Sequence, residues 1–393
     1  MGQEAGSLSG EEFLETAGPY RICVRCVSDT SFPRIRFDDA GVCNYCQAHD
    51  TLERFYPLGP EGERRLAAIV EKIKRAGRGA KYDCVAGVSG GRDSTYSLYL
   101  TVRLGLRPLA VHFDNGWDSE VAVRNIKNAC TRLQVDLHTH VADWAEFRDL
   151  QIAFLKASVP EAEVPTDVAI HAALHEAAAR EGIHYIILGH SFRTEGIAPI
   201  EWTYMDGRYI HSVRNRFGTK PQKTVPNLTA WSLLRYWLLE RIRVVPILNY
   251  GPYRHTEVMR LLETELGWQY YGGHHHESAY THFCQSALFA PKFNIDKRRL
   301  EYSALIRSGQ VTRDEALKDL ADNPYPVDPK LVEYCLGKLG LTMDEWRQIL
   351  AAPPKSFRDY PTHYPLLRAL RLPIKAAYRL GLVSPILYLK YLD

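Results

Sequence analysis

Short β-branched and apolar runs alternate along this chain with longer stretches in which apolar positions recur every three or four residues. The first clear pair is a buried-type run at 84–88 followed by Leu98, Val102 and Leu106 at helical spacing. A second strand is predicted over 107–114, closed by Asn115-Gly116, with Asp118 or Ser119 capping the next helix. A third follows at 136–140, then helical patterns over about 143–157 and 166–181, then a fourth strand at 185–188 closed by Gly189-His190. Strands alternating with helices predict an α/β fold, a doubly wound parallel sheet covered on both faces. Ligands of such sheets sit at the carboxyl ends of the strands, where the turns after 88, 114 and 188 converge.

The turn after the first strand reads Ser89-Gly90-Gly91-Arg92-Asp93-Ser94. Strand, tight turn, helix points backbone N–H groups and a positive helix end at an anion. The paired glycines let the backbone approach that anion closely, and Ser89 and Ser94 add hydroxyls. An ordinary turn with a Ser or Asp N-cap is the competing reading. Asp93 either helps hold Mg²⁺ or stabilises the helix start, and His190 is equally an active-site group or a satisfied strand-end histidine. The aromatic and charged stretch 191–227 shows no period and reads as an ordered loop region beside the site.

Upstream lie Cys23-Val-Arg-Cys26 and Cys43-Asn-Tyr-Cys46. Two C-x2-C pairs at this separation predict a structural Zn²⁺ held by four thiolates with no open coordination position, tying down a segment poor in apolar residues. An iron–sulfur cluster needs the same four cysteines and stays open. The boundaries read from these features are a leader at 1–20, a zinc-knuckle segment at 21–60, an ATP-sized α/β domain at 61–250, a mainly helical region at 251–350 and a basic amphipathic tail at 351–393.

Composition narrows the class. Forty-nine basic against forty-six acidic residues give a net charge of +3, which argues against a protein that coats nucleic acid. The most apolar helix-like run, 228–245, carries Arg235, Glu240, Arg241 and Arg243 and makes a poor membrane span. With no signal-peptide pattern at the start, a cytoplasmic location is expected. In the tail, 366–392 interleaves apolar residues with Arg368, Arg371, Lys375 and Arg379; it either docks on a membrane surface or partner, or packs on its own domain with the basic groups in water.

The 89–94 turn lacks the Lys-Ser/Thr of a Walker loop and resembles the SGGxDS signature of the PP-loop, or N-type ATP pyrophosphatase, superfamily. Arg92 stands where many members carry Lys. The resemblance implies that Ser89, Gly90, Gly91, Asp93 and Ser94 hold the phosphates of ATP, with Ser89, Arg92, Asp93 and Ser94 as the catalytic set and Mg²⁺ as companion ion. It also places Phe113, Asp114 and Gly189 near the nucleotide. A second block runs from Gly267-Trp268 through Gly272-Gly273-His274-His275-His276-Glu277-Ser278, Lys292-Phe-Asn-Ile-Asp-Lys-Arg298 and Ser308-Gly-Gln310 to Thr312-Arg313 and Leu317. Knuckle, SGGxDS, GG-x-H-x-ES, KFxIDKR and SGQxTRxEAL in this order resemble the N-acetyl sugar amidotransferases of surface-polysaccharide pathways. His274 departs from the family's usual Lys, and Gly189-His190-Ser191-Phe192 from its usual Gly-Glu-Asn.

That resemblance implies an enzyme that adenylates the acetamido oxygen of an N-acetyl sugar, in all expectation a UDP-sugar, and replaces it with ammonia. Gly273, His275, Glu277, Ser278, Lys297 and Arg298 are its expected substrate residues. Met1-Gly2 offers no N-terminal nucleophile, and none of Cys84, Cys130, Cys284 or Cys335 sits in a nucleophile elbow, so a separate glutaminase subunit is expected to supply the ammonia. Transfer-RNA thiolation is the alternative within the superfamily, but Cys130 has no second cysteine beside it.

Overall fold

A computed structural model describes residues 19–273, 276–324, 327–380 and 382–392. Most of the expected leader, and His274 and His275, lie outside the described residues. Five parallel strands form one sheet: β1 (Cys84–Gly87), β2 (Pro108–Asp114), β3 (Leu137–Val141), β4 (Tyr185–Leu188) and β5 (Arg243–Pro246), in the order β3-β2-β1-β4-β5. The winding reverses between β1 and β4, so the turns after these two strands flank the crevice where such sheets bind ligands.

Alternation along the strands decides which helix covers which face. Cys84 and Ala86 of β1 pack with Leu98, Ile126, Ala129, Val258 and Leu262, which brings the helices Arg92–Arg103, Glu120–Leu133 and His255–Leu266 to one side. Val85 of β1, with Leu109 and Val111 of β2, meets Leu174, Ala177 and Ala178 of the helix Val164–Arg180 on the other. The expected doubly wound α/β class is therefore the observed one.

Two sequence expectations change. The run 228–245 is not one helix: Ala230–Leu238 is helical, Arg241 turns the chain at φ 55°, and Arg243–Pro246 pairs parallel with β4 as a fifth strand. The β-branched Val244-Val245 pair suits a strand, whereas Trp231, Leu233, Leu234, Trp237, Leu238 and Leu239 of the same run are exposed rather than packed on the sheet. Within 191–227, the helix Gly207–Phe217 starts where the Asp206 carboxylate accepts from Arg208 N at 2.9 Å.

The largest apolar core joins Phe32, Phe113, Phe147, Phe154, Tyr209, Phe283, Trp346 and Tyr364, so segments far apart in sequence share one interior. In the tail, the helix Arg371–Arg379 buries none of its residues and leaves Leu372 77% exposed. The helix Pro385–Tyr391 instead docks: Ile386 and Leu389 pack against Leu52, Tyr56 and Phe192, and the Tyr391 hydroxyl accepts from Met205 N at 3.2 Å. Among the described residues no helix is long and apolar enough to cross a membrane.

Phe147 is fully buried beneath Phe113 at 5.8 Å between ring centroids. Phe147→Ala is expected to destabilise the chain by about 3–5 kcal/mol, read as a lowered urea midpoint with little change in slope.

Candidate functional site

The helix Arg92–Arg103 starts from Gly91, which has no side chain to cap it, and the Arg92 N–H donates instead to the Tyr271 hydroxyl. A Ser or Asp N-cap, the competing sequence reading, is therefore not what this turn builds. Backbone N–H groups at a positive helix end are the ingredients of an anion cradle. Within the loop the Ser94 Oγ accepts from Ser89 N at 3.1 Å and lies 3.1 Å from Ser89 Oγ, while Gly91 N donates to Ser89 Oγ at 3.3 Å. These bonds close Ser89, Gly91 and Ser94 into one tight turn.

Gly90 has φ 76°, and a Cβ there would stand 2.3 Å from the Ala122 carbonyl oxygen. Its own carbonyl accepts from Trp268 Nε1 at 3.0 Å and from Asn125 Nδ2 at 3.1 Å. Asn125 also ties to Gln269, donating to its carbonyl at 2.9 Å and accepting from its N–H at 2.8 Å. The Gly267-Trp268 block thereby grips the 89–94 turn from outside the sheet. Gly189 makes the approach from the β4 side: a Cβ there would meet the Asp93 carbonyl and Ser94 Cα at 2.8 Å.

Arg92 does not reach freely from the loop. Its Nε donates to Asp93 Oδ1 at 2.7 Å and to the Tyr253 hydroxyl at 3.1 Å, and the Tyr253 hydroxyl itself donates to Asp93. Burial works to raise the Asp93 carboxyl, but the Arg92 guanidinium outweighs it and holds the acid well below the usual carboxylate range. The bonds from Arg92 and Tyr253 commit Asp93 to the turn. Arg92 also lines a small recess with Trp268, Tyr270, Tyr271, Gly273 and Glu301, and its backbone N–H donates to the Tyr271 hydroxyl at 3.3 Å. Nothing in the residue types marked Tyr253 or Asn125 for these roles; Trp268 lay inside a distinctive block.

The Glu277-Ser278 pair reaches the same place. Ser278 bridges antiparallel to Asp118, Ser119 N donates to the Glu277 carbonyl at 2.8 Å, and Ala279 N donates to the Trp117 carbonyl at 3.0 Å. The pair thus lies along the turn after β2, with Glu277 buried and its Oε1 3.4 Å from Ser89 Oγ. A Cβ at Gly91 would come within 2.8 Å of that oxygen. Ser278 caps the following helix by accepting from Thr281 N at 3.3 Å.

The remaining expected residues are spread more widely. Phe113 is buried against His140 and Phe147, whereas Asp114 is half-buried and accepts from Gly116 N at 2.8 Å. Lys297 bonds Glu163 at 2.6 Å, and Arg298 is drawn onto Asp296 and the Asn323 carbonyl. His190 donates through Nδ1 to the Glu195 carboxylate at 2.7 Å; burial would lower its pKa, but that carboxylate, with Asp93 nearby, raises it overall.

The four cysteines form a separate centre. All are buried, and their ligand atoms lie within 4.8 Å of one another. A tetrahedral Zn²⁺ with Zn–S of about 2.3 Å needs sulfur pairs about 3.8 Å apart. The Cys23–Cys46, Cys26–Cys43 and Cys43–Cys46 pairs are at 3.9, 3.8 and 3.7 Å. The residues present fit the ion. Arg307 donates to Cys46 Sγ at 3.3 Å and Cys26 Sγ at 3.2 Å, and Arg313 Nε donates to the Cys23 and Cys26 carbonyls at 3.1 Å each. These arginines belong to the SGQxTRxEAL region, which thus seats the knuckle, while Gln310 of the same block bonds the Tyr253 carbonyl at 3.0 Å.

Comparison with known proteins gives three findings. Residues 277–371 match the family model described as LPS biosynthesis protein WbpG-like, C-terminal domain. That match begins at Glu277 and agrees with the resemblance carried by the ES, KFxIDKR and SGQxTRxEAL blocks. An uncharacterized protein of Methanocaldococcus jannaschii is 27% identical over 174 residues, which is 43% of this chain, and the chain spans 58% of that relative's length. Two solved structures align at 13% identity: an NH3-dependent NAD synthetase from Campylobacter jejuni in complex with the nitrate ion (TM-score 0.30, 74% of this chain and 97% of that one) and an NMN synthetase from Francisella tularensis (TM-score 0.29, 75% and 97%).

Two outcomes are expected from the geometry. Gly90→Ala forces both the positive φ and the Ala122 contact to yield, and should abolish ATP binding in a nucleotide titration while leaving the far-ultraviolet circular dichroism intact. Metal analysis of the purified chain should find a single zinc, lost in Cys43→Ser together with a clear fall in Tm.

Proposed function

We propose that this chain is an ATP-dependent amidotransferase that converts the acetamido group of an N-acetyl sugar into an acetamidino group, with AMP and pyrophosphate as by-products. The observation that carries the reading is the meeting of the two distinctive blocks: Glu277, where the WbpG-like match begins, stands 3.4 Å from Ser89 of the phosphate turn.

An amide carbon is a poor electrophile because its oxygen leaves badly. In the proposed reaction the amide oxygen attacks the α-phosphorus of ATP, and the bond to the β-phosphate breaks to release pyrophosphate. Ammonia adds to the activated carbon, the carbon–oxygen bond breaks, AMP departs, and the excess proton passes to solvent. The turn's task is electrostatic and positional: N–H groups fixed by the Gly90 clamp face the phosphates and need no rearrangement as charge builds on the leaving group. Mg²⁺, when bound, would neutralise phosphate charge, and Glu277, whose Oε1 lies 3.4 Å from Ser89 Oγ, is a carboxylate at the turn that would help hold it.

A separate glutaminase remains part of the proposal. Cys84, Cys130, Cys284 and Cys335 are all buried, and burial raises each thiol, that of Cys130 to about 11, away from the thiolate a glutaminase needs. The test is pyrophosphate release from ATP and ammonium against a panel of UDP-N-acetyl sugars, with bulk tRNA as the control. Sugar-dependent release is expected, with a product lighter by the difference between O and NH, and glutamine alone should not replace ammonium. Release that requires tRNA would overturn the reading.

A further inference from the structure

Near its C-terminal end the chain is helical over Tyr364–Ala369 and again over Arg371–Arg379. The break falls at Leu370 because Pro373 lacks an N–H and its ring crowds the Ala369 carbonyl four residues back. Two stripes run along the pair. Arg368, Arg371, Lys375 and Arg379 recur at spacings of three and four and share one face. Leu366, Leu370, Pro373, Ala377 and Leu380 recur at the same spacings on the opposite face. A segment that packs on its own domain turns such an apolar stripe inward and leaves the basic one in water. This segment does not. The helix Arg371–Arg379 buries none of its residues, and Leu366, Leu370 and Leu380 are 56, 43 and 74% exposed, with Leu372 and Leu382 open beside them.

The open stripe is nonetheless held in place. Tyr378 stacks on Tyr388 with ring centroids 4.5 Å apart and planes 4° from parallel, which fastens it to the helix Pro385–Tyr391. Ile386 and Leu389 of that helix pack on Leu52, Tyr56 and Phe192, so the leucine face sits on a fixed mount. Charge decides what can cover it. Residues 360–392 hold five Lys or Arg and no Asp or Glu, in a chain whose net charge is +3. Among the described residues none of Arg368, Arg371, Lys375 and Arg379 pairs with a carboxylate. The complement of this surface is therefore apolar in one layer and anionic in the next. A bilayer with anionic headgroups has that profile: leucines enter the acyl boundary while Arg and Lys stems reach back to the headgroup phosphates. Lipid also adapts to a convex, proline-broken face, which a folded partner could match only with a groove of the same bend. Among the described residues no helix is long and apolar enough to cross the membrane, so the segment would lie on it.

We propose that residues 364–382 dock this protein on the surface of an anionic lipid bilayer, with Leu366, Leu370 and Leu380 inserted at the acyl boundary and Arg368, Arg371, Lys375 and Arg379 at the headgroups. The helix Pro385–Tyr391 transmits that attachment to the body of the chain through Tyr388, Ile386 and Leu389. The inference is independent of the amidotransferase reading, because it uses none of the residues around the 89–94 turn.

The test is co-sedimentation of the full chain with vesicles of phosphatidylcholine alone and of phosphatidylcholine and phosphatidylglycerol in equal parts. Wild type should bind the mixed vesicles about tenfold or more tightly than the neutral ones, with affinity falling as salt rises. The triple variant Leu366→Ser, Leu370→Ser, Leu380→Ser should weaken binding to mixed vesicles by about tenfold or more, and so should the double variant Arg368→Glu, Lys375→Glu. Tm should stay close to wild type in both, since these side chains are open in the folded chain. The inference is overturned if wild type sediments with neither vesicle, if it binds both alike, or if either variant binds as wild type does. Light scattering covers the remaining occupant. A wild-type dimer that becomes a monomer in the leucine variant, without vesicle binding, assigns the face to a second copy of the chain and overturns the proposal.

Discussion

The Gly90 carbonyl is the point on which the site hangs. Two donors hold it, Trp268 from one side of the chain and Asn125 from another, and its left-handed backbone leaves no room for a side chain against Ala122. A turn meant to bind phosphate must keep its N–H groups pointed outward before the ligand arrives, or ordering it would consume binding free energy. Here that ordering is done by hydrogen bonds made in the folded chain. It also explains why the glycine and tryptophan of the 267–273 block belong to the same machinery as a loop nearly two hundred residues earlier in sequence.

A second dependence runs through the helix Lys297–Arg307. Eleven residues at about 1.5 Å each make a rod of about 16 Å. Arg307 at its end bonds the cysteine sulfurs, and Lys297 at its start bonds Glu163, the N-cap of the helix Val164–Arg180. Further contacts fix the same seat, with Arg299 on Asp29 and Ser303 on Ser28. The knuckle therefore sets the position of a helix that reaches the candidate substrate region. A metal that contributes no chemistry can still matter for catalysis in this way, because displacing one end of a rigid rod moves the other.

The sequence made the architecture legible where local pattern and tertiary environment agree. Strands β1 to β4 stand within a residue or two of where the sequence pattern put them; β1, β2 and β4 are mostly buried, with Gly or Asn at their ends, whereas β3 is the exposed edge strand. The cysteine spacing foretold the four-sulfur cluster for the same reason: the geometry of two C-x2-C knuckles is local. β5 was hidden because a strand of four residues after a short apolar helix has no period of its own and exists only through pairing with β4. The grip of Asn125 and Tyr253 on the turn was invisible, since a polar residue on a helix and a tyrosine in a loop acquire meaning only from what the fold sets beside them. Glu277 was legible as part of a motif, but its contact with Ser89 was not.

The arginine at position 92 shows how such a departure can be compatible with the site. The bonds to Asp93 and to Tyr253 both use Nε, so one nitrogen of the three fixes the acid that stabilises the turn. The guanidinium then extends into the recess with Tyr270, Gly273 and Glu301. A lysine ammonium is a single nitrogen; it could hold Asp93 or reach into that recess, and the geometry that satisfies one compromises the other. Arginine joins the two with a planar group that is always charged, which suits a position whose carboxylate partner is enclosed and whose charge must not depend on pH. Arg92 is thus tied both to Tyr253 and to the 270–273 segment.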